Sequence, residues 1–351
     1  MSAALGLIEG FYGTPWSWKA RRNTVEFLAR HGYGFYIYAP KADEYLRRRW
    51  REPHPRDAFE HLASLAAHCR ETGVRFGVGL SPYEIYRGFE AAAQAALAAK
   101  LAQLSALGLD TLAILFDDMR GDLPNLAATQ TEIVHWIAAR TKAPHIILCP
   151  SYYSDDPILD RVFGARPQNY LQDLGRALDS RIDMFWTGPE VCAREFTPGH
   201  LVRVSEQMQR KPVLWDNYPV NDGPRMSQFL HLRAFSGRPA TIADHIAGHA
   251  INPALQPVLS RIPALTLAES YAKGERYDYG GAFIAAATAV CGAELAHSLH
   301  EDLILLQHTG LDRLDKYADV LRARYAPVDH PAAREVIAWL DGEYRFTGEM
   351  A

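Results

Sequence analysis

Short, almost continuously apolar runs recur along this chain at 4–9 (ALGLIE), 33–39 (YGFYIYA), 74–80 (VRFGVGL) and 111–116 (TLAILF), and again at 145–149 (HIILC), 183–186 (DMFW), 212–215 (PVLW) and 246–251 (IAGHAI). They do not alternate apolar with polar residues, which is the pattern of parallel strands covered on both faces. Segments of helical character separate them at 17–31, 56–72, 89–108, 124–140 and 198–210. The clearest, FEAAAQAALAAKLAQLSALG, is built from strong helix formers and ends on a glycine suited to a left-handed cap. Strand six is short, and Gly223 and Pro224 interrupt the helix expected after strand seven. Eight strand–helix units of this regularity predict an α/β fold, a (β/α)8 TIM-type barrel over residues 1–275. From Tyr277 the alternation stops, and helices are expected at 280–308, 311–325 and 331–345, a small helical C-terminal region spanning 276–351.

Composition narrows the class of function. The 351 residues are 48% hydrophobic and 22% charged, enough for one large domain with an appendage. A formal net charge of -4 argues against a general nucleic-acid or anionic-membrane binder, which needs clustered Lys and Arg. The one basic run, LRRRWR at 46–51, reads as a solvated face. Cys69, Cys149, Cys192 and Cys291 are scattered without metal-ligand spacing, so reduced thiols and a cytoplasmic location are expected. No apolar run reaches the roughly 20 residues of a membrane helix. His297 with His300, and His245 with His249, read as polar faces rather than metal ligands.

In such a barrel the chemistry gathers where the strands end. The exits here carry Glu9-Gly10-Phe11-Tyr12, Pro40-Lys41, Ser81-Pro82, Asp117-Asp118, Tyr152-Tyr153, Thr187-Gly188-Pro189, Asp216-Asn217 with Asn221-Asp222 beyond, and Asn252-Pro253. Carboxylates, amides, one lysine and aromatic walls suit a hydroxyl-rich sugar better than a nucleotide or a metal. Most glycosidases set two carboxylates on opposite faces of the sugar, about 5 to 9.5 Å apart. Adjacent residues, with Cα atoms about 3.8 Å apart and side chains that alternate, straddle a ring poorly. One aspartate acting as acid while its neighbour holds a nucleophile carried by the substrate fits the pair better.

The motifs GLIEGFYGTPW, YIYAPKADEY followed by WREPHP, ILFDDM, FWTGP, VLWDNYPVND and INP resemble glycoside hydrolase family 84, which includes the protein O-GlcNAcases and related bacterial β-N-acetylglucosaminidases. The resemblance runs in order from residue 5 to about residue 253. It implies a barrel enzyme that removes terminal β-linked N-acetylglucosamine with retention through an oxazoline, with no cofactor and no metal. Asp117 would orient the acetamido N–H, and Asp118 would serve as general acid and then base. Gly10 (by its carbonyl), Lys41, Asn217, Asp222 and Asn252 would bind the sugar, Tyr153 would contact the acetyl group and Trp215 would wall its methyl. Tyr152 stands where the family pattern has Glu, and Asp155-Asp156 follows. Expected partners are a GlcNAc-containing glycoconjugate or an O-GlcNAc-modified protein, with no nucleic acid and no membrane. The C-terminal helices are a candidate surface for a homodimer. Two alternatives are an endo-acting, hyaluronidase-like hydrolase and a catalytically silent carbohydrate-binding protein. The first lacks a long insertion to build an extended groove.

Overall fold

A computed structural model of the chain describes residues 3–346. Eight parallel strands close into a barrel in sequence order: β1 Leu5–Glu9, β2 Tyr33–Tyr38, β3 Arg75–Leu80, β4 Thr111–Leu115, β5 His145–Cys149, β6 Asp183–Trp186, β7 Val213–Asp216 and β8 Gly248–Ile251. Closure is made by β1 pairing with β8, Leu5 opposite His249 and Leu7 opposite Ile251. Every residue of β1, β4, β7 and β8 is buried, as their unbroken apolar runs require of a sheet sandwiched between side-chain layers and helices.

The helices are α1 Trp18–Ala29, α2 Arg56–Glu71, α3 Ala91–Ser105, α4 Leu126–Ala138, α5 Ile158–Phe163, α6 Tyr170–Ala177, α7 Pro198–Met208, α8 Gly223–Met226 and α9 Arg261–Lys273 around the barrel. After it come α10 Tyr279–Cys291, α11 Ala293–Glu301, α12 Tyr317–Tyr325 and α13 Pro331–Leu340. Local chemistry sets their starts. The Ser17 hydroxyl accepts the Ala20 N–H to open α1, and Thr197 caps His200 ahead of Pro198 in α7. Gly108, at φ 65°, closes the turn after α3 in the left-handed conformation expected of it.

Three expectations need correction. The seventh crossover is not a regular helix: Gly223 and Pro224 open a single turn, α8, and irregular chain continues to a 3-10 turn at Ala240–His245. The expected helix at 280–308 is broken at Gly292, whose φ of 82° no helix accommodates, and continues beyond α11 as a π-type turn over Leu305–Thr309. The helix expected from 311 begins at Tyr317, after a 3-10 turn at Leu311–Arg313.

The C-terminal helices share a core with the barrel's last crossovers, since Leu230, Leu259, Ile262 and Leu265 pack with Phe283, Leu299, Leu321 and Trp339. Glu335 of α13 accepts the N–H groups of Val258 (2.9 Å) and Leu259 (2.8 Å), and Gln307 accepts those of Leu232 and Arg233. Through these contacts the C-terminal region braces the β7–β8 connection at Leu232 and Arg233 and the chain after β8 at Val258 and Leu259. Among the described residues no helix is long and apolar enough to cross a membrane.

Candidate active site

The C-terminal ends of the strands surround a cavity of about 250 Å3. All nine residues singled out from the sequence line it: Gly10, Lys41, Asp117, Asp118, Tyr153, Trp215, Asn217, Asp222 and Asn252. Asp117 and Asp118 follow β4. Adjacent side chains in extended chain point apart, yet both carboxylates reach the same cavity because Asp118 sits at φ 56°, a left-handed turn at a non-glycine residue.

The two carboxylates have different surroundings. Lys41 Nζ bonds directly to Asp117 Oδ2 and lies 3.4 Å from Asp118 Oδ2. Asp117 Oδ1 is buried and has no hydrogen-bond partner. Burial raises the Asp117 pKa above the ordinary carboxylate value, more than the Lys41 charge lowers it. Asp118 accepts the Tyr12 hydroxyl on Oδ2 and the Tyr153 hydroxyl on Oδ1, both at 2.9 Å. Burial opposes ionisation there too, but the Lys41 charge, the Tyr153 bond, the Arg47 charge and the Tyr12 bond outweigh it and hold Asp118 below the ordinary value.

A chain of amides stiffens the opposite wall. The Gly10 N–H donates to Asn252 Oδ1 (3.1 Å), Asn252 Nδ2 to Asn217 Oδ1 (3.0 Å), and Asn217 Nδ2 to the Val191 carbonyl (2.8 Å). Asp222 Oδ2 accepts the Tyr12 N–H at 2.7 Å, and burial pushes its carboxyl up to about 6. Gly10 has to be glycine, because a Cβ there would lie 2.2 Å from the Trp215 ring. That ring packs edge-on against Phe185 with centroids 5.2 Å apart. Beneath it, Asp216 is fully buried and receives both Nε and Nη2 of Arg238 at 2.8 Å, with His249 Nε2 at 3.0 Å. His249 turns its other nitrogen to Tyr271 (2.8 Å), so it belongs to a polar core network that anchors the end of β7.

Tyr152 faces away from the cavity. Its hydroxyl donates to the Gly164 carbonyl (2.7 Å) and its ring meets Tyr170, while Asp156 caps Ile158 and Asp155 pairs with Arg203. The acidic pair in this loop is therefore structural. His297 is exposed beside Glu301, and among the described residues no group of three or more metal-ligating side chains comes together.

Two participants escaped sequence reasoning. Tyr12 spans the site, its N–H on Asp222 and its hydroxyl on Asp118. Arg47, from the basic run expected to be solvated, is buried and donates through Nη2 to the Asp118 carbonyl at 3.2 Å. Position in a strand exit was the available signal for Tyr12; run composition concealed Arg47.

Comparison with known proteins finds relatives of the chain as a whole. The β-N-acetylglucosaminidase family model matches residues 5–304. The chain is 30% identical over 275 residues to the proteins named Protein O-GlcNAcase of Mus musculus and of Rattus norvegicus. Each match covers 76% of this chain and about 30% of the relative's length. A mutant of the Thermobaculum terrenum O-GlcNAc hydrolase superposes with a TM-score of 0.79 at 28% identity, covering 97% of this chain and 80% of that one.

Proposed function

The chain belongs to the β-N-acetylglucosaminidase family, glycoside hydrolase family 84, and from that premise we propose that it is a retaining exo-β-N-acetylglucosaminidase working by substrate assistance. The observation that carries the reading is the asymmetry of the aspartate pair. Asp117 keeps one buried oxygen without a partner, a ready acceptor for an acetamido N–H, whereas Asp118 is served by two phenol hydroxyls that a substrate can displace.

In the first step the acetamido carbonyl oxygen bonds to the anomeric carbon as the glycosidic C–O bond breaks. Asp118 gives its proton to the departing oxygen, and Asp117 accepts the hydrogen bond of the increasingly acidic N–H. In the second, Asp118 takes a proton from the water that attacks the anomeric carbon, and the ring opens back to the acetamide with retention. A well-held internal nucleophile supplies roughly 7 kcal/mol or more of the barrier, and the acid a further two to four powers of ten in rate. Asp118 is ionised in the free site, so it must gain its proton as the sugar expels water and displaces the tyrosine hydroxyls. Lys41, Asn217, Asp222, Asn252 and the Gly10 carbonyl hold the hydroxyls, Tyr153 meets the acetyl group, and Trp215 closes over the methyl.

The substrate is a terminal β-linked GlcNAc on a glycoconjugate, with O-GlcNAc-modified protein the leading candidate given the relatives' names. Four free thiols suit the cytoplasm. Side-by-side assay of an O-GlcNAc peptide, a chitobiose-type disaccharide and a muropeptide fragment tests this; turnover of none would overturn the reading.

A second reading attaches to Asp222, a third carboxylate in the cavity that burial pushes up to about 6, which in an inverting enzyme would activate water. The first-formed anomer, read by proton NMR, separates the two: β for retention, α for inversion.

A further inference from the structure

The run LRRRWR divides between solvent and core. Arg48 and Arg51 are exposed, and Arg49 pairs with Glu52 at the surface. Arg47 turns inward and is 4% exposed. Its guanidinium carbon lies 5.8 Å from the Tyr12 ring and 5.1 Å from the Tyr83 ring, and Nη2 reaches the Asp118 carbonyl. Among the described residues no carboxylate oxygen comes within salt-bridge distance of it, and its Nε is buried without a partner. A buried cation with no direct anion and an orphan donor is a poor device for stability. It stands, however, at Asp118, among the described residues the one non-glycine left-handed residue lining the cavity, a conformation that persists only when its surroundings enforce it.

We propose that Arg47 is the positioning residue of the general acid: by holding the Asp118 carbonyl it fixes the left-handed turn that brings the Asp118 carboxylate into the cavity beside Asp117. Lys41 and Arg47, six residues apart after β2, thus grip the aspartate pair from two sides, Lys41 on the carboxylates and Arg47 on the backbone. A planar guanidinium can lie between two aromatic rings and still donate from its edge, which an ammonium cannot do. The inference rests on the substrate-assisted reading and adds to it a residue that never touches the sugar.

The charge has a second effect. The groups facing Asp118 are Lys41, Arg47, Tyr12, Tyr153, Asp117, Asp222 and the Cys149 thiol. Of these, the Lys41 charge, the Tyr153 hydroxyl, the Arg47 charge and the Tyr12 hydroxyl favour the carboxylate, so removing Arg47 lets the carboxylic acid persist to higher pH.

The experiment compares Arg47→Met and Arg47→Lys with the parent on aryl N-acetyl-β-glucosaminides of graded leaving-group acidity. Arg47→Met is expected to lose about 30-fold or more in kcat/KM with the poorest leaving group and no more than about 3-fold with the best, which needs little protonation, and its alkaline limb should move to higher pH. Arg47→Lys, which restores the charge but not the planar fork, should return the limb while keeping a smaller loss of the same kind. A loss that is equal across leaving groups, with an unmoved pH limb, would overturn the proposal. Should the Met variant fail to fold, an equal loss across leaving groups in the Lys variant is sufficient to overturn it. Inactivity of the parent on every aryl glycoside would instead remove the reading beneath it.

Discussion

Replacing each aspartate by asparagine should separate two roles that the sequence sets side by side. In Asp117→Asn the buried Oδ1 loses its charge, and Lys41 is left with Asp118, 3.4 Å away, as its remaining anionic neighbour. A hydrogen bond to a charged group contributes about 1.5 to 3 kcal/mol in a ground state, and a donor or acceptor aimed at developing charge about 2.7 to 4 kcal/mol in a transition state. Under the proposed substrate-assisted mechanism the second figure applies, because the N–H would grow more acidic as its carbonyl oxygen attacks. A loss of about 100- to 1,000-fold in kcat/KM follows, and it should be the same for every leaving group. In Asp118→Asn the loss should instead grow as the leaving group becomes more basic, reaching roughly two to four powers of ten with the poorest and nearly vanishing with the best. The assay is kcat/KM for each variant across a series of aryl N-acetyl-β-glucosaminides. An Asp117→Asn loss of only a few-fold would refute the acceptor role of Oδ1. A leaving-group-dependent loss in Asp117→Asn with a uniform one in Asp118→Asn would show that the roles are exchanged, as the raised pKa of Asp117 taken alone would suggest.

Other parts of the structure carry predictions of their own. Asp118 is held low in the free site and, as the proposed general acid, must be protonated in the complex, so the alkaline limb of kcat should lie at higher pH than that of kcat/KM; coincident limbs in steady-state profiles would contradict this. Asp222 accepts the Tyr12 N–H as a carboxylate, so Asp222→Asn should lower kcat/KM for an aryl N-acetyl-β-glucosaminide; an unchanged kcat/KM would remove Asp222 from the binding site. Gly10→Ala forces a Cβ against Trp215 and should destabilise the fold by about 1 to 3 kcal/mol in urea unfolding while weakening binding of a GlcNAc-derived inhibitor. Glu335 is buried with its pKa raised from 4.5 to about 7, so the folded state favours its protonated form. Its contribution is fully present below the unfolded pKa and is lost as pH rises through 7, by at most about 3 kcal/mol; Glu335→Gln should flatten that pH dependence of urea unfolding.

Strand positions were legible because a parallel strand buried on both faces must be apolar throughout, and each of the eight runs became a strand within two residues of its expected ends. The site was legible for a related reason: barrel topology converts residues as distant as Gly10 and Asn252 into neighbours once each is known to follow a strand. What escaped depended on single dihedrals and on direction of burial. The left-handed φ of Asp118 resolves how adjacent carboxylates share a cavity, and no periodicity encodes it. Arg47 lies among arginines that face solvent, and the packing of Tyr12 and Tyr83 together with the Asp118 carbonyl draws it inward. The break at Gly292 was hidden because α10 and α11 are both rich in helix-forming alanine, and the glycine's positive φ outweighs that propensity.

The central claim is that the substrate supplies its own nucleophile. Successive fluorination of the acetyl group in an aryl N-acetyl-β-glucosaminide weakens the carbonyl oxygen as a nucleophile while changing the shape of the sugar little. The account predicts that kcat/KM falls steeply and monotonically from acetyl through monofluoro- and difluoro- to trifluoroacetyl, and that the matching glucoside, which has no amide, is not turned over. A rate indifferent to fluorination, or equal hydrolysis of the glucoside, would contradict it.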